Sequence, residues 1–296
     1  GAGHHRSARA GEAPAPMILS VTDAEDPRIA PFRFVRERDL VGRDGAFMAE
    51  GEVVLRQLLR QLGQGATDAR PGHGHRLSAL LLSEVQAARL AELTAQLPDE
   101  VPVYVASQAI MDQVAGFPIH RGILALGAAG PRPEAAALLD ALPPRALVVG
   151  AVGLTNHDNM GGIFRNAAAF GAGAVLLDGA SCDPLYRKAI RVSVGASLTV
   201  PFARVPRVLD MVDLLEARGF QVIALSPAGR ERLSGLARPP KVAALFGTEG
   251  PGLPDAVLAR VRTVSIPMAG DFDSLNVATT CGIVLHHLTQ GPAGPA

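Results

Sequence analysis

The sequence predicts an α/β protein in two parts, a small α/β domain followed by a larger one built on a parallel sheet. Three observations carry this. Short apolar runs alternate with amphipathic stretches of helical period along most of the 296 residues, the pattern of strands whose two faces are both covered by helices. One glycine- and proline-rich stretch, Gly127 to Pro133, interrupts that alternation, as a linker does. Hydrophobic residues make up 48% and charged residues 19% of the chain, a globular composition with ample length for a buried core.

Taken in order, residues 1–16 are small, polar and proline-rich, without the apolar core of a signal peptide. A flexible extension is expected over residues 1–31, and His4 and His5 read as a tag remnant rather than metal ligands. The first domain spans residues 32–127. Gly45 to Glu52 reads as a strand and turn, and Val53, Val54, Leu55, Leu58, Leu59 and Leu62 recur at helical spacing. Leu77–Leu82, Val101–Val105 and Ile123–Leu126 read as strands, Val85–Leu97 and Gln108–Val114 as helices. Residues 128–143 form the linker with a short helix over Glu134–Leu142. The second domain, residues 144–290, has strands expected at Ala146–Val152, Ala174–Leu177, Val222–Leu225, Val242–Phe246 and Val264–Pro267. Its helices are expected at Gly162–Phe170, Pro184–Val194, Val208–Arg218, Pro254–Ala259 and Leu275–Leu288, before a frayed tail over residues 291–296.

Composition narrows the function. A formal net charge of zero argues against nucleic-acid binding by bulk positive charge, so such a partner would need a local basic patch. Aromatic residues are 4% with no Trp, which disfavours an extended stacking platform. No apolar run reaches membrane-spanning length. Cys182 and Cys281 lie far apart without metal-ligand spacing. They read as buried free thiols in a reducing cytoplasm, and no metal site is expected.

Three stretches carry the chemistry, each a loop after an apolar strand: Asn156-His157-Asp158-Asn159-Met160-Gly161-Gly162-Ile163-Phe164-Arg165-Asn166-Ala167, then Leu245-Phe246-Gly247-Thr248-Glu249-Gly250-Pro251-Gly252-Leu253, then Ser265 to Ala278 (SIPMAGDFDSLNVA). In the first, Asp158 or Asn159 is placed to cap a helix with Arg165 about one turn inside. A dinucleotide site is a competing reading, since Asp178 closes the next strand, but only Gly161-Gly162 of the glycine fingerprint is present. Three loops at the carboxyl ends of parallel strands build the usual ligand crevice of an α/β sheet.

In this order and spacing the three stretches resemble the signature motifs of the SpoU/TrmH family of RNA ribose 2′-O-methyltransferases, of the SPOUT class, over about Ala146 to Leu288. The first domain resembles the small domain, similar to ribosomal protein L30e, that precedes the catalytic domain in many members; Ala49–Glu52 and His120-Arg121-Gly122-Ile123 carry that likeness. The resemblance implies a deep trefoil knot, an exception to the rule against knots. It further implies S-adenosylmethionine (AdoMet) as methyl donor, RNA as partner and a homodimer. The family's cofactor contacts fall on Gly247, Ile266 and Leu275, with Leu245, Met268, Ser274 and Asn276 lining the pocket. Glycine at 247 would let the backbone approach a flat ring.

The family's catalytic arginine falls on Arg165, and Asn159, Glu249, Ser274 and Asn276 match its other polar active-site positions. Thr248 departs from the asparagine many members carry, losing an amide donor. The implied reaction is attack of a ribose 2′-hydroxyl on a sulfonium methyl. A guanidinium suits charge stabilisation better than proton abstraction, so Arg165 is expected to bind phosphate and steady the nascent alkoxide, with the role of base as the alternative. Glu249 is either a proton acceptor or a structural carboxylate. Arg187, Lys188 and Arg191 form a basic face for RNA phosphates, with Arg56, Arg60 and Arg121 of the first domain as further candidates. The expected substrate is ribosomal RNA. Transfer RNA, a catalytically silent RNA-binding relative and a dinucleotide-dependent oxidoreductase are the alternatives.

Overall fold

The computed structural model describes residues 17–33, 45–63, 74–116, 118–248 and 250–290. The described residues form two sheets. The first has the strands β1 (Ile18–Ser20), β2 (Ala46–Glu50), β3 (Arg76–Ser83), β4 (Val103–Ala106) and β5 (Ile123–Ala128), in the order β1-β4-β3-β5-β2. β1, β4 and β3 run parallel, and β5 is antiparallel to both β3 and β2. Four helices accompany them: α1 (Glu52–Gly63), α2 (Glu84–Arg89), α3 (Ala91–Thr94) and α4 (Gln108–Ala115).

Two expectations change here. The proposed extension over residues 1–31 contains a strand, β1, paired in register with Val103–Val105, followed by a 3-10 helix at Pro27–Phe32. Val21, Ile29 and Phe32 are buried with Tyr104 and Met111, so these residues belong to the first unit; residues 1–16 lie outside the described residues. A three-residue strand is too short to announce itself by alternation. The single helix expected over Val85–Leu97 is two, α2 and α3, which meet at Leu90 with φ −100° and ψ 17°.

The second sheet has seven strands, every pairing parallel. They are β6 (Ala146–Val152), β7 (Ala174–Leu177), β8 (Phe202–Arg204), β9 (Gln221–Leu225), β10 (Glu231–Arg232), β11 (Lys241–Gly247) and β12 (Arg262–Ser265), in the order β10-β12-β9-β11-β6-β7-β8. β8 and β10, absent from the sequence reading, are short strands at the two edges, where charged residues and brevity are expected. One face is covered by α5 (Ala135–Asp140), α8 (Val208–Glu216) and α9 (Asp255–Arg260). The other carries α6 (His157–Ala169), α7 (Arg187–Val192) and α10 (Val277–Gln290). Strand order reverses between β11 and β6, the point where open α/β sheets place their ligands.

The two units share a core, with Phe47, Leu55 and Leu58 in the same cluster as Val149, Phe164 and Ile190. Polar ties reinforce it: Gln61 Nε2 donates to the Leu198 carbonyl at 2.8 Å, and Arg187 Nη1 lies 2.8 Å from Glu50 Oε2. The Glu50 side chain is only 3% exposed. Among the described residues no helix is long and apolar enough to cross a membrane.

Candidate functional site

The first motif is a helix start. After β6 the chain turns through Gly153 into α6, whose N-cap is Asn156: its Oδ1 accepts from the Asn159 amide at 3.0 Å. This corrects the expected cap at Asp158 or Asn159, and leaves the Asn159 side chain available to a second element. Gly161 and Gly162 lie inside α6 and have packing roles. A Cβ at Gly161 would stand 2.7 Å from Val192 Cβ of α7, and one at Gly162 would stand 2.5 Å from Ala278 Cβ of α10. Asp178 is buried and accepts from the Gly153 and Ser181 amides, both at 3.0 Å, and from Ser181 Oγ at 2.6 Å. Its carboxylate therefore braces the ends of β6 and β7, which removes the ribose-binding acid of the dinucleotide reading.

The third motif ends in another cap. Asn276 Oδ1 accepts from the Ala278 and Thr279 amides at 2.9 and 3.1 Å, starting α10, while its Nδ2 donates to Asn159 Oδ1 at 2.9 Å. Asn166 Nδ2 reaches the Ala278 carbonyl at 2.8 Å. The two motifs, 117 residues apart, are thus joined amide to amide.

Between the second and third motifs lies a cavity of about 280 Å³ at the carboxyl ends of β9, β11 and β12. Leu225, Phe246, Ile266 and Leu275 give it apolar walls, and Ser226, Thr248, Asp273, Ser274 and Thr280 add polar atoms. Of the expected cofactor residues, Gly247, Ile266, Met268, Ser274 and Leu275 line it. Asn276 does not, its side chain being taken up by the α10 cap and by Asn159, and neither does Leu245, which is fully buried on the opposite face of the sheet, filling the space left by Gly150 beside Met211. Adjacent strand residues point to opposite faces, so the neighbouring Phe246 takes the place assigned to Leu245. Leu225, Ser226 and Pro227 were not anticipated; the Ser-Pro step after an apolar strand was their signal.

Gly247 has a structural reason beside the one expected. A Cβ there would lie 2.6 Å from the Gly252 carbonyl carbon and from the Leu253 nitrogen. The loop folds back on the strand end, with Gly252 N donating to the Thr248 carbonyl at 3.1 Å. Glycine is needed because protein backbone crosses there. Gly247→Ala should therefore cost about 1–3 kcal/mol of overpacking strain. Thermal unfolding checks this, and a variant as stable as the parent would refute the crossing.

Arg165 is exposed on α6 and has no hydrogen-bond or ion-pair partner among the described residues. It stands six residues, about 9 Å of helix rise, beyond Asn159. Glu249 lies outside the described residues. The basic face is less open than the sequence implied. Arg187 is turned to the buried Glu50, Arg191 Nη1 lies 3.8 Å from the same carboxylate, and Lys188 Nζ pairs with Asp158 at 3.1 Å. Arg187 is thus a tie between the units rather than a free phosphate contact. In the first unit Arg56 pairs with Glu52 at 2.8 Å, while Arg60 and Arg121 are exposed. The two stretches that suggested an L30e-like unit meet in space, Gly51 N donating to the Ile123 carbonyl at 3.2 Å.

Burial, with Lys188 adding to it, lowers the pKa of His157, whose ring packs edge-on to Tyr186 at 4.5 Å. Burial pushes the Cys182 thiol up to about 11 and Cys281 further, and both are free. Among the described residues no group of His, Cys, Asp and Glu is placed to hold a metal ion.

Residues 146–286 match the sequence profile of the SpoU rRNA Methylase family. Over 285 residues the chain is 34% identical to an uncharacterized tRNA/rRNA methyltransferase of Mycobacterium tuberculosis, with 92% of each chain covered. A protein of the same description from Mycobacterium bovis matches equally, at 34% over 92% of each. Among solved structures, an AdoMet-bound rRNA methyltransferase from Sinorhizobium meliloti superposes with a TM-score of 0.75 at 22% identity, covering 94% of this chain and 99% of that one. The SpoU methyltransferase AviRb from Streptomyces viridochromogenes, in complex with AdoMet, gives 0.73 at 22%, covering 90% and 98%. The two structures establish a shared fold, and the sequence matches establish kinship: this chain belongs to the SpoU family of RNA methyltransferases.

Proposed function

We propose that this chain transfers the methyl group of AdoMet to a ribose 2′-hydroxyl of structured RNA, with ribosomal RNA the leading substrate. The observation that carries the reading is the cavity at the ends of β9, β11 and β12, walled by the second and third motifs and tied by Asn276 to the helix bearing Arg165. Its residues fit the donor: flat apolar walls at Phe246, Ile266 and Leu275 suit an adenine, and Ser226, Asp273 and Ser274 suit a ribose and an amino-acid head. AdoMet bound to the related folds from S. meliloti and S. viridochromogenes supports the same ligand here.

The donor supplies an electrophilic methyl carbon. Arg165 binds the phosphate of the target nucleotide and stabilises negative charge growing on the 2′-oxygen, since an exposed guanidinium that pairs with none of the described residues offers paired donors. Asn159 and Asn276 orient the third motif, and Ser274 positions the ribose. Glu249 is the remaining candidate to receive the proton. The first unit holds RNA in the manner of an L30e-like domain, with Arg60 and Arg121 in reach of phosphates. Lys188 and Arg191 keep a supporting role beside it, through partly exposed side chains. A trefoil-knotted C-terminal segment, a homodimer and a cytoplasmic location complete the reading. The free thiols Cys182 and Cys281 suit the last of these.

The relatives' names cover transfer as well as ribosomal RNA, so substrate identity needs a direct experiment. Titration calorimetry with AdoMet should show binding, and mass mapping of total RNA from cells with and without the protein should show one ribose methylation lost. Absence of AdoMet binding would favour a silent RNA-binding relative, and loss of a base methylation instead would refute the ribose target.

A further inference from the structure

Phe272 is out of keeping with its chemistry. Among the described phenylalanines it alone is exposed, at 71%, while Phe32, Phe47, Phe164 and Phe246 are 1% exposed or less. It sits in the third motif, between Asp271 and Asp273, where Gly270 turns with φ +59° and Phe272 N donates to the Ala269 carbonyl at 3.3 Å. The next two residues, Asp273 and Ser274, line the cavity. Phe272 is thus the chain neighbour of the cavity's wall, its Cα about 3.8 Å from that of Asp273, with its ring open to solvent.

An uncovered aromatic ring beside a reaction cavity calls for a flat apolar ligand. Its flanks say which kind. Asp271 and Asp273 are both exposed, so a phosphate is repelled there, whereas a neutral base is not and its amino groups can donate to a carboxylate. Bases splayed out of structured RNA are held by stacking on aromatic side chains. We propose that Phe272 stacks on the base of the nucleotide being methylated, and so sets how the ribose is presented to the cavity. The proposal rests on the RNA 2′-hydroxyl reading above. Phe272 is a substrate-positioning residue that takes no part in bond making.

The test compares Phe272→Ala, Phe272→Leu and Phe272→Trp with the parent. The parallel readouts are methyl transfer to unmodified ribosomal RNA transcripts, AdoMet affinity by calorimetry, and solution mass by sedimentation. Loss of the ring should raise the RNA KM about tenfold, with AdoMet affinity and mass unchanged. Leucine, apolar but without a π-face, should fail like alanine, and tryptophan should retain parental KM. If leucine restores KM, or all three variants behave as the parent, stacking is refuted. If the alanine variant changes solution mass, the ring is a contact between copies of this chain and the proposal falls. A parent that binds AdoMet but methylates no RNA would sink the functional reading itself, and the base contact with it.

Discussion

Replacing Arg165 with alanine should lower kcat for RNA methylation by about 10²–10³-fold or more, the usual cost of removing one charge-stabilising donor. AdoMet affinity should change less than twofold. The separation follows from where the residue sits. Arg165 is on α6, exposed and without a partner among the described residues, and it is absent from the cavity's lining. Truncation thus leaves no buried carboxylate stranded and no hole in the core, so the fold should keep its stability. Arg165→Lys should recover little, because an ammonium is a point charge and cannot present two parallel donors. Single-turnover methyl transfer alongside calorimetry checks both parts. A fully active alanine variant would remove Arg165 from the chemistry, and one that fails to bind AdoMet would move it to the donor site.

The second large effect is on stability. Glu50→Ala should destabilise the protein by about 3–5 kcal/mol, the usual cost of breaking a buried ion pair by removing one partner. For a chain of this size that is a fall in Tm of about 5–8 °C. Glu50 is 3% exposed and Arg187 21%, so solvent relieves little of the penalty. The double variant Glu50→Ala with Arg187→Ala should cost less than the sum of the singles, since each single variant already removes the contact the two side chains share. Calorimetric scans of the three variants check this. Additive losses would show that the two side chains act separately.

Much of this was legible in the chain, for identifiable reasons. Buried parallel strands such as β6 and β11 are continuous apolar runs, and glycine, proline and asparagine mark the loops that follow them, so the three motifs could be placed before any fold was known. What such runs hide is which face each residue takes: Leu245 and Phe246 look alike in sequence, and only the second lines the cavity. The cap of α6 was placed two or three residues late because Asn156, Asp158 and Asn159 are all competent acceptors. Long-range pairing was out of reach. Arg187 read as an RNA contact because its partner, Glu50, lies 137 residues earlier. The short edge strands β8 and β10 and the N-terminal β1 carry too few residues for a period to show.

The paired glycines of α6 seat it between two neighbouring helices. Val192 of α7 presses on the helix at Gly161 and Ala278 of α10 at Gly162, each occupying the place a methyl group would take. A helix notched on two sides is keyed in its seat like a shaft. Turning it by one residue, about 100°, would drive ordinary side chains into both neighbours. The bearing of Arg165 is thus set by two missing methyl groups one residue apart, three and four positions before it. Adding a methyl at either would misalign the arginine without touching it.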